Sequence, residues 1–153
     1  MESAGRATID DLPVIVELAR AAIAEKTDTR GGELWQRREA RREPIEDSFV
    51  IGDARKLVIS GRIDDVVVGY AAAHLEDLPD GATLAVITDL YTLPEARGVG
   101  VGEVMMEAVL GWCEDENCIG VDSVALPGDR HTKNFFETFG LVARAIVVHR
   151  RLA

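Results

Sequence analysis

The segment from Lys56 to Leu110 changes its pattern of apolar residues across a glycine-rich turn. Three runs, 56–64, 65–76 and 83–93, have the composition of strands and are joined by very short connections. Strands joined so closely form an antiparallel meander, because a parallel connection needs a dozen or more residues. The residues after Gly102 instead repeat at helical spacing. This order predicts a sheet with at least one helix packed against it.

The rest of the chain predicts further helices and strands around the meander. A short β-like run precedes an amphipathic helix capped by Asp10, and a highly charged helix follows over 33–43. Beyond the glycine turn we expect a strand over 121–127, a helix over 128–140 and a last strand over 144–152. The 153 residues fit a single domain, residues 1–153, of mixed α/β order.

The charge of the chain is acidic and unevenly distributed. A net charge of −10 argues against a nucleic-acid partner, which requires a surplus of lysine and arginine on one face. No lysine or arginine lies between Arg62 and Arg97, but that interval contains seven acids: Asp64, Asp65, Glu76, Asp77, Asp80, Asp89 and Glu95. These acids are either solvated loop and edge positions or a surface that attracts a cationic substrate.

The sequence indicates no membrane segment, disulfide framework or metal site. No apolar run approaches the roughly 20 residues that span a bilayer, and no signal-like N-terminus is present. We therefore expect a soluble, cytoplasmic protein without a membrane partner. Cys113 and Cys118 have the spacing of neither a zinc site nor a redox pair, and the three histidines are scattered, so we expect reduced cysteines and no metal.

The turn from Arg97 to Gly102 has the composition of an anion-binding loop. It joins a strand to a helix, so that unpaired N–H groups and the positive end of the helix dipole face whatever occupies the turn. A P-loop is excluded because Glu103, and not a lysine, follows the last glycine. A dinucleotide fingerprint starting at Gly98 also fails, because its third glycine would fall at Glu103.

The turn does satisfy the pattern Arg/Gln-x-x-Gly-x-Gly/Ala, through Arg97, Gly100 and Gly102, after a strand ending in LYTLPEA. Together with FFETFGL at 135–141, it resembles the GNAT superfamily of N-acetyltransferases, in which such a turn and the following long helix hold the pyrophosphate of coenzyme A. The resemblance extends over nearly the whole chain. It implies a GNAT-like acyl-CoA N-acyltransferase fold of class α/β (α+β), with a single mixed, mostly antiparallel sheet flanked by helices.

The resemblance also implies a site for acetyl-CoA as co-substrate, without a metal. Backbone groups of Leu90, Tyr91 and Thr92 would run beside the pantetheine arm, and the thioester would lie in a splay between strands 83–93 and 121–126. The pyrophosphate would be held by the turn, whose residues are Arg97, Gly98, Val99, Gly100, Val101, Gly102 and Glu103. The implied acceptor is a primary amine of a small molecule, protein or peptide, with a cationic acceptor as one alternative, and the fold allows a homodimer.

Acetyl transfer by direct attack needs an uncharged amine and a polarised thioester carbonyl. A strand amide near Tyr91 or Thr92 would polarise the carbonyl. Asp89, on the strand that leads to the turn, is the predicted catalytic base, at a position where the family often has an acid. Glu76 and Asp77 are weaker candidates for binding the acceptor.

The leaving thiolate also needs a proton. The resemblance places Phe136 where many family members have a tyrosine that supplies this proton, and phenylalanine cannot do so. The proton would then come from water or another group, with His131 and Tyr70 as possible substitutes. An alternative function is therefore a noncatalytic acyl-CoA-binding or regulatory module on the same fold.

Overall fold

The computed structural model describes all residues, 1–153, and contains one sheet in the order β1-β2-β3-β4-β5. Its strands are β1 (Glu2–Arg6), β2 (Lys56–Ile63), β3 (Val66–Asp77), β4 (Thr83–Thr92) and β5 (Gly120–Asp122). Strands β1 to β4 pair with one another in antiparallel ladders, and β5 is parallel to β4. The predicted meander and the mixed, mostly antiparallel sheet are therefore confirmed.

Four helices flank the sheet: α1 (Leu12–Thr27), α2 (Gly32–Arg38), α3 (Val101–Asp115) and α4 (Arg130–Thr138). Successive side chains of a strand point to opposite faces, so β3 divides its side chains between two cores. Tyr70 and Ala72 pack in the core that includes α1, whereas Ala71 and Ala73 pack in the core that includes α3. Each face of the central strand is thus covered by helix.

Helix α3 approaches the sheet very closely because β2 carries a glycine beneath it. A Cβ atom added at Gly61 would lie 2.6 Å from the sulfur of Met105, too close for any side chain without displacement. Met105, Met106 and Val109 are fully buried along the same helix. This contact fixes α3 against the sheet, and its N-terminus follows shortly after the end of β4.

The start of α1 differs from the sequence-based expectation. The chain enters the helix through a 3-10 turn at Ile9–Asp11, and the carboxylate that accepts the N–H of Thr8, at 3.0 Å, belongs to Asp11 and not to the predicted cap, Asp10. Asp11 is buried and also pairs with Arg62 at 2.5 Å. A buried acid needs such partners, and the sequence pattern around Asp10 does not show which of the two neighbouring acids has them.

Three other elements are shorter than predicted or absent. Helix α2 ends at Arg38 instead of continuing to residue 43, because its charged sequence has no apolar stripe that would stabilise further turns against the core. Strand β5 runs over Gly120–Asp122 and overlaps the predicted 121–127 only at residues 121 and 122. The predicted last strand over 144–152 was wrong, since no residue after Leu141 belongs to a helix or strand.

Candidate functional site

A bulge in β4 sets the position of Asp89. The register of the β3–β4 ladder shifts beside Ala72, so that Asp89 and Ile87 face consecutive residues of β3 and Thr88 is the extra residue. A bulge bends its strand and changes the direction of the side chains beside it. The carboxylate of Asp89 consequently meets the hydroxyl of Tyr70, on the face of the sheet that α1 covers.

The Asp89 carboxylate is held by four hydrogen bonds. Arg41 donates two of them, from Nε at 3.0 Å and from Nη2 at 2.8 Å, the Tyr70 hydroxyl donates at 2.7 Å, and Thr88 Oγ1 donates at 2.6 Å. Burial opposes the charge of this carboxylate, but the hydrogen bonds and charge of Arg41 outweigh burial and keep the pKa of Asp89 below its ordinary value. The carboxylate is therefore ionised, and both of its oxygens accept hydrogen bonds from the protein.

Tyr70 is the most deeply placed member of this group. Its side chain is buried, with its ring edge-on to Phe49 at a centroid distance of 5.8 Å. Burial, and then the neighbouring Asp89 charge, raise the pKa of the Tyr70 hydroxyl well above its ordinary value. Tyr70 therefore holds its proton and orients the carboxylate beside it.

A cavity of about 250 Å³ opens over the Asp89 carboxylate. Residues of α1, α2 and the central strands line it, and most of them are apolar. Lys26 enters this cavity from α1, with its Nζ 4.5 Å from the centroid of the Trp35 ring, and burial lowers the pKa of its ammonium group. The charged residues in the lining are Lys26, Glu39, Arg41, Lys56 and Asp89.

Strands β4 and β5 separate immediately beside the cavity. Their parallel ladder has three residue pairs and ends at Val86 and Asp122. Beyond it, the hydroxyl of Ser123 donates to the carbonyl of Ile87 at 3.2 Å, and no further main-chain pairing occurs between the two strands. The last part of β4, which contains the predicted residues Leu90, Tyr91 and Thr92, therefore has an open edge.

The glycine turn contains a continuous row of main-chain donors without an acceptor in the protein. The N–H groups of Gly98, Val99, Gly100, Val101, Gly102 and Glu103 donate to no main-chain or side-chain acceptor of the protein. Gly100 is the N-cap of α3 and has a left-handed conformation, φ 94°. A row of free amides at the positive end of a helix is suited to bind an anionic group such as a pyrophosphate.

Arg97 braces this turn from its first position. Its Nε donates to the carbonyl of Thr92 at 2.8 Å, and its Nη2 lies 3.0 Å from the Glu25 carboxylate of α1. The guanidinium also lies over the Tyr91 ring, at 5.3 Å from the ring centroid. Arg97 thereby ties the turn to both β4 and α1.

The acids between Arg62 and Arg97 do not converge on one surface. Asp89 is the only one that lines the cavity. Asp77 pairs with Arg55 at 2.8 Å, and Asp64 pairs with the N-terminal amine. Glu76 is exposed and lies outside the cavity lining. Each paired acid is thus neutralised by its own local partner.

The aromatic and histidine candidates for proton transfer occupy different environments. Phe136 is buried in the core beneath α3, and His131 is exposed on α4. Neither lines the cavity. Tyr70 is the only one of the three that does, and its hydroxyl already donates to Asp89.

Arg41 and Lys26 are the site residues that sequence reasoning missed. Arg41 lies in the segment 33–43, whose sequence predicts a charged helix, and the other arginines and glutamates of that segment have the same appearance in the sequence. Lys26, the last basic residue of α1, carried a weak signal: it is the only lysine in the helix. The pairing of Arg41 with Asp89 joins residues that are 48 positions apart, so no local pattern reveals it.

No group of three or more histidines, cysteines or acids has the arrangement of a metal site, and both cysteines are free thiols. None of the helices combines the length and the apolar character needed to cross a membrane.

This fold and site have the features of an acyltransferase: a splayed sheet, an open β4 edge and a turn of free amides. The model of the acetyltransferase (GNAT) family matches residues 18–141. That match covers most of the chain, so the chain belongs to the GNAT acetyltransferase family and is an enzyme of the N-acetyltransferase class. A comparison with curated protein sequences finds no match.

Solved structures show the same fold at low sequence identity. A mutant of the BH1408 protein from Bacillus halodurans has a TM-score of 0.82 and 18% identity, over 98% of this chain and 99% of that one. An aminoglycoside acetyltransferase, meta-AAC0020, from an uncultured soil metagenomic sample and in complex with sisomicin, has a TM-score of 0.70 and 18% identity, over 99% and 95%. AAC(6')-Iy in complex with the bisubstrate analogue CoA-S-monomethyl-acetylneamine has a TM-score of 0.70 and 15% identity, over 100% and 99%.

Proposed function

We propose that residues 1–153 form one acetyl-CoA-dependent N-acetyltransferase domain, which transfers an acetyl group from coenzyme A to a primary amine by direct attack. The observation that carries this proposal is the row of free amides from Gly98 to Glu103, next to the open edge of β4. Family membership indicates the class of reaction, and the free amides are the groups that we propose to bind acetyl-CoA.

The coenzyme would lie across the gap between β4 and β5. Its pyrophosphate would accept hydrogen bonds from the amides of the turn, and its pantetheine arm would pair with the main chain of Leu90, Tyr91 and Thr92. A main-chain N–H near Tyr91 or Thr92 would then donate to the thioester oxygen, where negative charge develops during attack. Such a donor is already oriented by the strand, so no side chain has to move.

The acceptor amine would occupy the cavity over Asp89. Its lining contains three cations, Lys26, Arg41 and Lys56, against two carboxylates, Glu39 and Asp89. A polycationic acceptor would meet repulsion from these side chains. We therefore propose an acceptor with a single primary amine and an apolar body that fits the largely apolar wall.

Asp89 remains our proposed catalytic base, under one condition that its contacts impose. An acid whose pKa is held below its ordinary value accepts a proton poorly at neutral pH. To act as a base, Asp89 would have to lose its contacts with Arg41 when the acceptor binds. If Arg41 stays in place, Asp89 is a positioning residue that holds Arg41 and Tyr70 in the wall of the cavity.

We propose that water protonates the leaving thiolate. Phe136 has no hydroxyl and is buried in the core, and the raised pKa of Tyr70 makes that hydroxyl a reluctant proton donor. Coenzyme A thiolate is a good leaving group compared with an alkoxide, so a dedicated acid is not essential for the step.

The test combines a binding assay with a turnover assay. Isothermal titration with coenzyme A should show binding, and thiol release from acetyl-CoA should depend on an amine chosen from a panel of monoamines, diamines and aminoglycosides. Binding without thiol release across the panel would favour the noncatalytic acyl-CoA-binding module. Absence of coenzyme A binding would refute both functions.

The role of Asp89 is tested by comparing Asp89→Asn with Asp80→Asn. Asp80 is an exposed acid in the β3–β4 turn, where its carboxylate accepts the N–H of Ala82 at 2.9 Å. We expect Asp89→Asn to lower kcat/KM by about 10²-fold or more and Asp80→Asn to leave it nearly unchanged. Equal effects of the two substitutions would contradict the assignment of Asp89.

A further inference from the structure

Lys26 is the only lysine or arginine side chain that is withdrawn from solvent without an acidic partner. Every other lysine or arginine either pairs with a carboxylate or is exposed. Lys26 is half-buried, and its ammonium group lies over the Trp35 ring, 4.5 Å from the centroid, without donating a hydrogen bond to an oxygen of the protein. An aromatic face attracts a cation but accepts no conventional hydrogen bond, so this ammonium group lacks the acceptors that a buried cation needs.

The acids around Lys26 already have other partners. Those whose charges act on its ammonium group are Asp89, Asp129 and Glu39. Asp89 is paired with Arg41 at 2.8 Å, and Asp129 caps the start of α4 by accepting a main-chain N–H at 3.0 Å. Glu39 is exposed and pairs with the adjacent arginine. The positive charge of Lys26 is therefore not matched by an acid that is free to pair with it.

The cavity that contains Lys26 has a net positive charge and a small volume. Its lining has three cations against two carboxylates, which leaves a charge of +1. Arg41 and Asp89 neutralise each other, and Lys56 is exposed at the start of β2, so Lys26 is the cation that a bound molecule would meet inside the cavity. The volume of about 250 Å³ is below the roughly 300–1,000 Å³ of sites for drug-sized ligands, so the cavity suits a small molecule.

We propose that Lys26 binds a carboxylate group of the acceptor, which makes the acceptor a small amino carboxylate with an apolar body. This inference rests on the proposed function, because the amine of the same molecule would have to lie over Asp89, beside the open edge of β4. A carboxylate supplies the missing acceptors, and hydrogen bonds between ionised groups are stronger than those between neutral groups. One carboxylate also balances the net charge of the lining, whereas a second ammonium group would add to it.

A different role for Lys26 makes a different prediction. Burial lowers the pKa of its ammonium group, and a lysine whose pKa is lowered could instead serve as a general base. A base acts on every amine acceptor, so its removal lowers kcat for all of them. A group that binds a carboxylate acts only on acceptors that carry one, and mainly through KM.

The experiment compares amino carboxylates with their own carboxamides in the thiol-release assay with acetyl-CoA. The panel contains α-amino acids with apolar side chains and short ω-amino carboxylates, and KM is expressed per uncharged amine, because amidation lowers the pKa of a nearby amine. In the wild type, kcat/KM should be at least about tenfold higher for the preferred carboxylate than for its carboxamide, as expected for one charge-assisted hydrogen bond. Lys26→Met should remove this preference and leave kcat/KM for the carboxamide nearly unchanged.

Lys133→Met is the matched control, because Lys133 is an exposed lysine of α4 that does not line the cavity. It should keep the wild-type preference for the carboxylate. Circular dichroism would verify the fold of both variants, which should be retained, since Lys26 forms no ion pair and methionine preserves the apolar part of its side chain.

Calorimetric titration with the same panel, in the presence of coenzyme A, separates this inference from the proposed function. The wild type should bind the tightest-binding carboxylate at least about tenfold more tightly than Lys26→Met does. Absence of thiol release with every amine would refute the proposed function, and the titration would still decide the role of Lys26. Acetyl transfer without a preference for carboxylates, an equal loss for carboxylates and carboxamides in Lys26→Met, or equal binding by the wild type and Lys26→Met would each overturn the inference.

Discussion

The pair formed by Arg41 and Asp89 should be a major determinant of both stability and site structure. Their side chains are 18% and 13% exposed and 2.8 Å apart. Arg41→Ala would leave the Asp89 carboxylate largely buried without its cation. Removing one partner of a buried ion pair costs about 3–5 kcal/mol, mainly because the remaining charge is poorly solvated.

The chain contains a control pair with the same shortest N–O distance, one hydrogen bond where Arg41 and Asp89 share two, and little burial. Arg55 and Asp77 are also 2.8 Å apart, but their side chains are 51% and 73% exposed. Exposed pairs contribute about 0–1 kcal/mol, so Arg55→Ala should lower the free energy of unfolding by no more than that. Urea denaturation of the wild type and both variants at pH 7 would measure the difference.

The cost of Arg41→Ala should also depend on pH, with a defined sign. In the wild type the pKa of folded Asp89 is below its ordinary value, so the pair adds stability above the unfolded pKa of about 3.9, and that stability is lost as pH falls through the folded pKa. In the variant, burial acts without the counter-charge, so the folded pKa should rise and the penalty should disappear as Asp89 is protonated.

The difference between wild type and Arg41→Ala should therefore shrink as pH is lowered from 7 towards 4. A cost similar to that of Arg55→Ala, or a cost independent of pH over this range, would refute the reasoning. The same variant also informs the mechanism, because a released Asp89 with a higher pKa should move the acidic limb of the kcat/KM profile to higher pH.

Three further predictions concern the turn, the core and proton transfer. Gly100→Ala should lower the free energy of unfolding by about 1–2 kcal/mol, because Gly100 has φ 94°, and should weaken coenzyme A binding in calorimetry. Gly111 lies in the middle of α3 with open space around it, so Gly111→Ala should raise the free energy of unfolding by about 0.5–1 kcal/mol. Equal effects of the two substitutions would contradict this prediction. Gly61→Ala should cost about 1–3 kcal/mol in urea denaturation, because its Cβ would meet the Met105 sulfur, and an unchanged unfolding midpoint would count against the close packing of α3. Tyr70→Phe should keep kcat/KM within about tenfold of wild type, and a loss of about 10²-fold or more at high pH would instead make Tyr70 the proton donor.

The elements that were predicted correctly have local signals. Strands β2 to β4 follow from alternating apolar residues and turn-forming connections, and α3 follows from its helical period after the glycine turn. The turn itself was identifiable because Arg97, Gly100 and Gly102 all lie within one short segment of the chain. The prediction of a last strand was wrong because it rested on apolar composition alone. A strand also needs a neighbouring strand for its main-chain hydrogen bonds, and residues 144–152 have none.

The sequence by itself determined the kind of fold, the position of the glycine turn between β4 and α3, and the family, since each depends on residues that are close together in the chain. It also singled out Asp89 as an acid on the strand before the turn. Only the tertiary structure decided what surrounds that acid: Arg41 is 48 residues away and Tyr70 is 19 residues away. The bulge at Thr88 brings Asp89 to Tyr70, and Arg41 reaches Asp89 from the segment after α2, where it also donates to the carbonyl of Ser48 at 2.8 Å. The charge of a buried carboxylate depends on such neighbours more than on its own position in the sequence.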